Sequence, residues 1–404
     1  MKQQLKILSV HPRRHHNFEQ ALELYRIFDD DFKHVTGLFF PQAQINQLGF
    51  LGKRVKSALL KRSFESIPPG IIYTLPLWEI YHALIILMGR APNYLQLNRK
   101  FQESVARKFA PPDVLICYDT SAAYLFRKWK AKTFCILDLT IGLPQYRLLA
   151  DHGDKYDPSM EAAFPAYEKE IFAQYIEETS LADLILCGSE FVKQTCLFFG
   201  VPREKCVVLN YGVDAGDFSY PNRDFSRTRL KFAFVGILGF RKGVDLLLKV
   251  WMDFIAVNPG CEIHFFGEVL DEIPPDSFKH PSVFIHGKVP KEKLINYLKD
   301  SDVFVFPTTF EGSSYALYQA MAMQLPIITT LNSGTVIENG VSGIIINTGD
   351  AKALLDAMQK IIDHPDLRKS LATQAFVLSK AFTWENYGKN LGRILKNRIP
   401  SLFA

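Results

Sequence analysis

At 404 residues the chain is too long for one typical core, and two domains are the default. Hydrophobic residues make up 48% and charged residues 22%, an ordinary globular composition without low-complexity tracts or short-period repeats. The formal net charge of +5 is modest; it hints at an anionic ligand or surface and gives no nucleic-acid footprint. Six scattered cysteines form no CxxC, and Cys117, Cys135 and Cys187 lie in apolar strand-like runs. They read as buried thiols in a reducing compartment.

In chain order, the first half offers the strand candidates LKILSV, HVTGLFF, DVLICY, TFCILDL, DLILCG and CVVLN. The run Leu5 to Val10 is too short for a signal peptide and reads as the first strand. Between the second and third candidates lies a long helical region, residues about 45 to 110. Its most apolar stretch, IIYTLPLWEIYHALIILM, is broken by Pro76, Glu79 and His82 and makes a poor spanning helix. The expected location is therefore cytoplasmic. The polar segment YGVDAGDFSYPNRD reads as a domain linker. After it the strand candidates KFAFVG, CEIHFFG, VFIHG, VFVFP, PIITT and GIIIN alternate with helical patterns at 244–255, 292–298, 315–323 and 351–362. Repeated βα units predict a doubly wound parallel sheet. The closing FTWENYGKNLGRILKNRI reads as an amphipathic helix.

Two loops carry the chemistry. In FVGILGFRKGVDLLLKV a strand ends at Gly236, and a helix starts near Gly243 with Arg241 and Lys242 at its N-terminus. Two cations beside free N–H groups suit a diphosphate. The glycines do not fit GxGxxG, so a nicotinamide-type fingerprint is unsupported. The plain alternative is a βα turn with two solvated cations. In VFVFPTTFEGSSYALYQAMAM a strand runs into a loop carrying Glu311, Gly312, Ser313 and Ser314, then a helix from Tyr315. Ser313 or Ser314 is a plausible N-cap. A carboxylate beside an anion site is better suited to hydroxyls than to phosphate. Both loops follow strands of one sheet, where ligands bind at the carboxyl ends. Together they fit a nucleotide-diphosphate-sugar.

Several ordered segments resemble the retaining GT-B glycosyltransferases of glycosyltransferase family 4, the group 1 glycosyl transferases. ADLILCGSEFVKQTCLFFGVPREKCVVLNYGVD looks like the end of their first domain, and FVGILGFRKGVDLLLK like their donor diphosphate turn. SDVFVFPTTFEGSSYALYQAMAMQLPIITT looks like their Glu-x7-Glu region, and the FTWENY helix like the one that crosses back. The resemblance implies an α/β GT-B fold, two doubly wound Rossmann-like domains facing each other across a cleft. It implies an acceptor-side domain of residues 1–212 closed by a crossover helix 382–404, and a nucleotide-sugar domain of residues 213–381. Glu311 matches the acid that holds donor-sugar hydroxyls, Lys242 the diphosphate lysine, and Gln319 the second acid, which usually binds ribose. The loop N–H groups near Ser313 to Tyr315 would share the leaving diphosphate. On this reading Glu311→Gln leaves free nucleoside diphosphate binding almost intact.

The chain departs from that pattern in three places. Gln319 is an amide, which lacks a carboxylate's charge-assisted grip on a diol. Ile237 stands where an arginine often follows the strand-end glycine, with Arg241 able to supply that charge. Leu143, in LDLTIGLPQYR, stands near the expected place of a histidine facing the donor sugar. Asp138 is that loop's only carboxylate, a catalytic candidate or a strand-end cap. His15 and His16 open a helix after the first strand, on the loop that faces the acceptor in this fold; the plain alternative is a polar helix start.

The implied reaction moves a sugar from a nucleotide-sugar to an unknown carbohydrate or lipid-linked acceptor, with no metal and no cofactor beyond the donor. No His/Cys cluster has metal spacing. Asp29–Asp31 read as a solvated turn. Leu48, Leu51, Val55 and Leu59 make a stripe among Lys53, Arg54, Lys56, Lys61 and Arg62. That is a basic amphipathic helix for a membrane surface, or a helix packed on its own domain. Two other readings compete: a non-catalytic nucleotide-sugar binder, motivated by Gln319, Ile237 and Leu143, and a nucleotide-sugar epimerase, which the signature region does not support.

Overall fold

The computed structural model of the chain describes residues 6–41, 45, 59, 62–64, 67–146, 157, 164–214 and 216–403. Packing divides it into two units. The first comprises Met1–Cys187, Cys196–Leu209 and Tyr387–Ala404, the second Gly188–Thr195 and Asn210–Asn386.

The first unit is built on β1 (Ile7–Val10), β2 (Phe32–Thr36), β3 (Ile72–Thr74), β4 (Val114–Tyr118), β5 (Phe134–Leu139), β6 (Leu184–Cys187) and β7 (Cys206–Val208). They form one parallel sheet in the order β3-β2-β1-β4-β5-β6-β7. Every residue of β1, β4 and β6 is buried, because helices cover both faces of such a sheet. The order reverses between β1 and β4, so the loops after these two strands open at the topological switch point. From Tyr387 the chain's final helix, Trp384–Arg398, belongs to this unit, with Tyr387, Leu391 and Leu395 buried.

A histidine is sealed inside this sheet. His34, on β2, is fully buried; Asn17 Nδ2 donates to its Nε2 at 2.9 Å, and its Nδ1 lies 3.0 Å from Ser9 Oγ. Burial pushes its pKa down to about 3. The unfolded chain, with a histidine pKa near 6.5, therefore binds this proton more tightly than the fold does. Stability is full above the unfolded value and is lost as pH falls toward about 3, by up to about 1.4 kcal/mol per pH unit. His34→Gln should flatten that acid limb in urea titrations run between neutral and mildly acidic pH. Identical slopes for the two proteins would clear His34 of the effect.

The second unit carries β8 (Lys231–Val235), β9 (Glu262–Phe266), β10 (Val283–Gly287), β11 (Val303–Phe306), β12 (Ile327–Thr330) and β13 (Ile344–Ile346). This sheet is also parallel, in the order β10-β9-β8-β11-β12-β13. Its switch point lies between β8 and β11, the strands that lead into the two loops singled out above. The helices Val244–Val257, Lys291–Asp300, Tyr315–Ala322 and Ala351–Asp363 match the predicted patterns; Pro365–Ser379 adds one that the periodicity did not mark.

Several expectations are corrected. The region read as helical from 45 to 110 contains β3, three residues long, ahead of the helices Leu77–Leu87 and Tyr94–Lys108. The second strand starts at Phe32 and ends at Thr36, short of the apolar LFF. Within the segment read as a domain linker, Phe218 and Arg223 are buried, and Arg223 donates to the carbonyls of Leu298, Lys299, Ser301 and Met323. Asp29–Asp31 form an exposed 3-10 turn, in line with the solvated turn expected of them. The basic stripe of residues 48–62 lies outside the described residues apart from Leu59 and Arg62. Among the described residues no helix is long and apolar enough to cross a membrane.

Candidate functional site

The two switch-point loops of the second sheet meet through their side chains. After β8, Gly236 donates its N–H to Phe266 O (2.9 Å), and a 3-10 turn, Phe240–Lys242, leads through Gly243 into the helix Val244–Val257. Gly243 has φ 69°, and a Cβ there would lie 2.1 Å from the carbonyl oxygen of Pro307. Only glycine lets the two loops approach so closely. The carbonyl of Arg241 accepts from Thr309 N, Thr308 Oγ1 and Thr309 Oγ1, each at 2.9 Å. Those bonds lock the cationic turn to the end of β11.

Glu311 stands between the cations. Lys242 Nζ lies 2.5 Å from its Oε1, and Arg241 Nη1 bonds the same oxygen as well as Phe310 O (2.8 Å). Lys242 and Glu311 are largely buried, whereas Arg241 is 36% exposed. Burial lowers the Lys242 pKa below its ordinary value against the pull of Glu311. Sequence reasoning placed these residues on neighbouring loops but gave them separate ligands. In the fold they form one ion triad with net charge +1.

The rest of the loop is ordered by its own bonds. Ser189 Oγ donates to Gly312 O (2.5 Å), and Ser313 Oγ lies 3.0 Å from Tyr318 OH. Ser314 is at the N-cap of the helix Tyr315–Ala322 and makes no side-chain cap bond; its carbonyl accepts from Leu317 N (3.1 Å). Tyr315 stacks on Tyr211 at 5.6 Å and lies 5.8 Å from Trp384. Gln319 is half-buried, and its amide has no hydrogen-bond partner among the described residues. Ile237 is exposed.

A second constellation occupies the switch point of the first sheet. Asp138, on β5, is 2% exposed and its Oδ2 accepts from Gln20 Nε2 (2.6 Å) and lies 3.1 Å from His16 Nε2. Gln20 also bonds the hydroxyls of Tyr387 (2.6 Å) and Tyr118 (2.7 Å). Asp138, read as a catalytic candidate or a strand-end cap, is closed inside a network and positions His16. His15 is exposed, so the adjacent histidines face different surroundings. Sequence reasoning missed Gln20 and His11. His11 is buried 4.7 Å from the Tyr118 ring and 4.9 Å from the His15 ring, and among the described residues its Nε2 has no hydrogen-bond partner. Leu143 is fully buried.

All six cysteines are buried free thiols. The sulfurs of Cys187, Cys196 and Cys206 lie within 4.8 Å of one another, a gathering that their sequence spacing does not show. Contact with the other two sulfurs and burial raise the Cys187 pKa well above its ordinary value.

Residues 229–364 match the family model described as glycosyl transferases group 1. The chain is 97% covered by the structure of Anabaena Alr3699/HepE in complex with UDP, itself covered completely, at 14% identity and TM-score 0.62. The second unit thus matches the group 1 glycosyl transferases, and the chain as a whole has the GT-B fold. A sucrose-phosphate synthase from Thermosynechococcus elongatus shares the fold at TM-score 0.66 and 15% identity, covering 99% of this chain and 100% of its own. The amylovoran biosynthesis glycosyltransferase AmsK of Erwinia amylovora is 28% identical over 186 residues, 43% of this chain and 46% of AmsK. The capsular polysaccharide biosynthesis glycosyltransferase CapM of Staphylococcus aureus is 25% identical over 207 residues, 46% of this chain and 54% of CapM. The chain thus spans about half the length of these curated relatives.

Proposed function

We propose that the protein is a retaining, metal-independent glycosyltransferase of polysaccharide or glycoconjugate synthesis. It would use a nucleotide-diphosphate-sugar, work in the cytoplasm and be peripheral on the inner face of a membrane. The observation that carries the reading is the convergence of Arg241, Lys242 and Glu311 at the sheet's switch point. The cations would hold the diphosphate and Glu311 the sugar hydroxyls. In the reaction the bond from the anomeric carbon to the β-phosphate oxygen breaks, and its electron pair stays with the phosphate. The acceptor hydroxyl bonds the same face of that carbon and gives its proton to the leaving phosphate. Arg241, Lys242 and the N–H groups of the Ser313–Tyr315 turn would stabilise the charge that develops there.

A structural neighbour crystallised with UDP makes uridine diphosphate the first probe. Purified protein should release UDP from one UDP-sugar of a panel when given the right acceptor extract. Lys242→Ala should weaken UDP binding about tenfold to a hundredfold, since a charge-assisted contact contributes roughly 1.5–3 kcal/mol. Calorimetry giving wild-type affinity for that variant would remove Lys242 from the donor site.

A second reading is a catalytically weakened nucleotide-sugar binder. The unpartnered Gln319 amide favours it, together with Ile237 and Leu143. Binding of a nucleotide-sugar without turnover in any acceptor extract would decide for it.

A further inference from the structure

The helix Leu77–Leu87 is inside out. Its polar residues face the protein: Glu79 is 8% exposed and ion-paired to Arg62, and Trp78 Nε1 donates to Ser104 Oγ (2.8 Å). Most of its apolar residues are exposed; Ile85 is half-buried, and Ile86 is exposed on the opposite side. Leu77, Ile80, Tyr81, Leu84, Leu87 and Met88 recur at i, i+3, i+4, i+7, i+10 and i+11, one stripe on one face. All six are exposed, from 48% at Ile80 to 82% at Leu87. Scattered exposed apolar residues are ordinary, but a contiguous stripe of them marks an interaction surface.

We infer that this stripe is a bilayer-docking surface, seated in the interface of an anionic phospholipid membrane. Length and charge both select that occupant. Eleven residues make a helix of about 16 Å, far short of a spanning segment, so the helix lies in the plane of the membrane. From Ile72 to Gln96 the only charged residues are Glu79 and Arg90. Glu79 is turned inward and paired, so the one exposed charge is the cation Arg90, with no carboxylate to repel lipid phosphates. Tyr73, Tyr81 and Tyr94 are exposed, and tyrosine favours the headgroup level. This surface is distinct from the basic stripe of residues 48–62, and the inference does not rest on transferase activity.

Flotation of the 404-residue protein with vesicles of phosphatidylethanolamine and phosphatidylglycerol tests it. Wild type should float with the vesicles. Leu84→Glu/Leu87→Glu should partition about a hundredfold more weakly, because two side chains lose burial in the apolar layer. Both positions are exposed, so circular dichroism and UDP binding should match wild type, which separates this result from failure of the donor site. If the double variant does not fold, Leu87→Gln alone gives the same comparison with a smaller loss. Wild type left at the bottom of the gradient, or variants that float like wild type, would overturn the inference. So would a wild-type dimer that the substitutions dissociate without changing flotation, since the stripe would then belong to a second copy.

Discussion

Glu311→Gln is expected to lower sugar transfer about a hundredfold and, at the same time, to tighten free nucleoside diphosphate binding roughly tenfold. The first effect follows if the carboxylate holds donor hydroxyls more firmly in the transition state than in the ground state. The second follows from the ion triad. Arg241 and Lys242 both spend their charge on Glu311, and an incoming diphosphate must compete with that internal anion. Glutamine keeps the size and removes the competitor, so the cations face the phosphates unneutralised. Motif reading alone separates the two ligands and leaves diphosphate affinity untouched; the observed pairing reverses that expectation. Titration calorimetry with UDP and an assay of transfer measure both effects. Full transferase activity in the variant would sink the assignment of Glu311, and unchanged UDP affinity would show that the triad opens at no cost.

Arg223→Ala should destabilise the second unit by about 3–5 kcal/mol, lowering its melting temperature by roughly 10 °C. The guanidinium is 7% exposed and bonds Leu298 O (2.8 Å), Lys299 O (3.0 Å), Met323 O (2.9 Å) and Ser301 O. These carbonyls close the C-terminal ends of the helices Lys291–Asp300 and Tyr315–Ala322, where a cation is favoured. Alanine would leave them desolvated without a donor. Arg223→Lys should recover only part of the loss, because one ammonium cannot reach the span that the planar fork covers. A melting temperature within about 2 °C of wild type for the alanine variant would show that water replaces the guanidinium.

Both sheets were legible because parallel strands buried on two faces leave short apolar runs, such as VLIC in β4 and VFVF in β11. β3 escaped because three residues, Ile72–Thr74, merge into the apolar helix that follows. The two candidate-site loops were legible for a local reason: cations and a carboxylate sit within a few residues of strand ends. Their mutual pairing was not legible, since it depends on the Gly243–Pro307 approach between loops. Gln20 was hidden for the opposite reason. An amide on an amphipathic helix looks solvated, and only the fold brings Tyr118, Asp138 and Tyr387 to it from three distant places. The polarity of Leu77–Leu87 was equally hidden, because periodicity shows that a helix has two faces without showing which one turns inward.

The first unit is discontinuous along the chain. Tyr387, which bonds Gln20, and Leu391 and Leu395, which are buried, are all translated after the whole of the second unit. The second unit, by contrast, runs without interruption from Asn210 to Asn386 apart from Gly188–Thr195, and its two ends lie side by side. Val213 N bonds Phe382 O (2.9 Å), and a Cβ on Gly212 would fall 2.4 Å from the backbone of Thr383. It is topologically an insertion with adjoining ends, the arrangement that tolerates circular permutation. On the ribosome the order of completion is therefore set: the second sheet can close while Gln20 and Asp138 still wait for Tyr387, and the unit begun first is finished last.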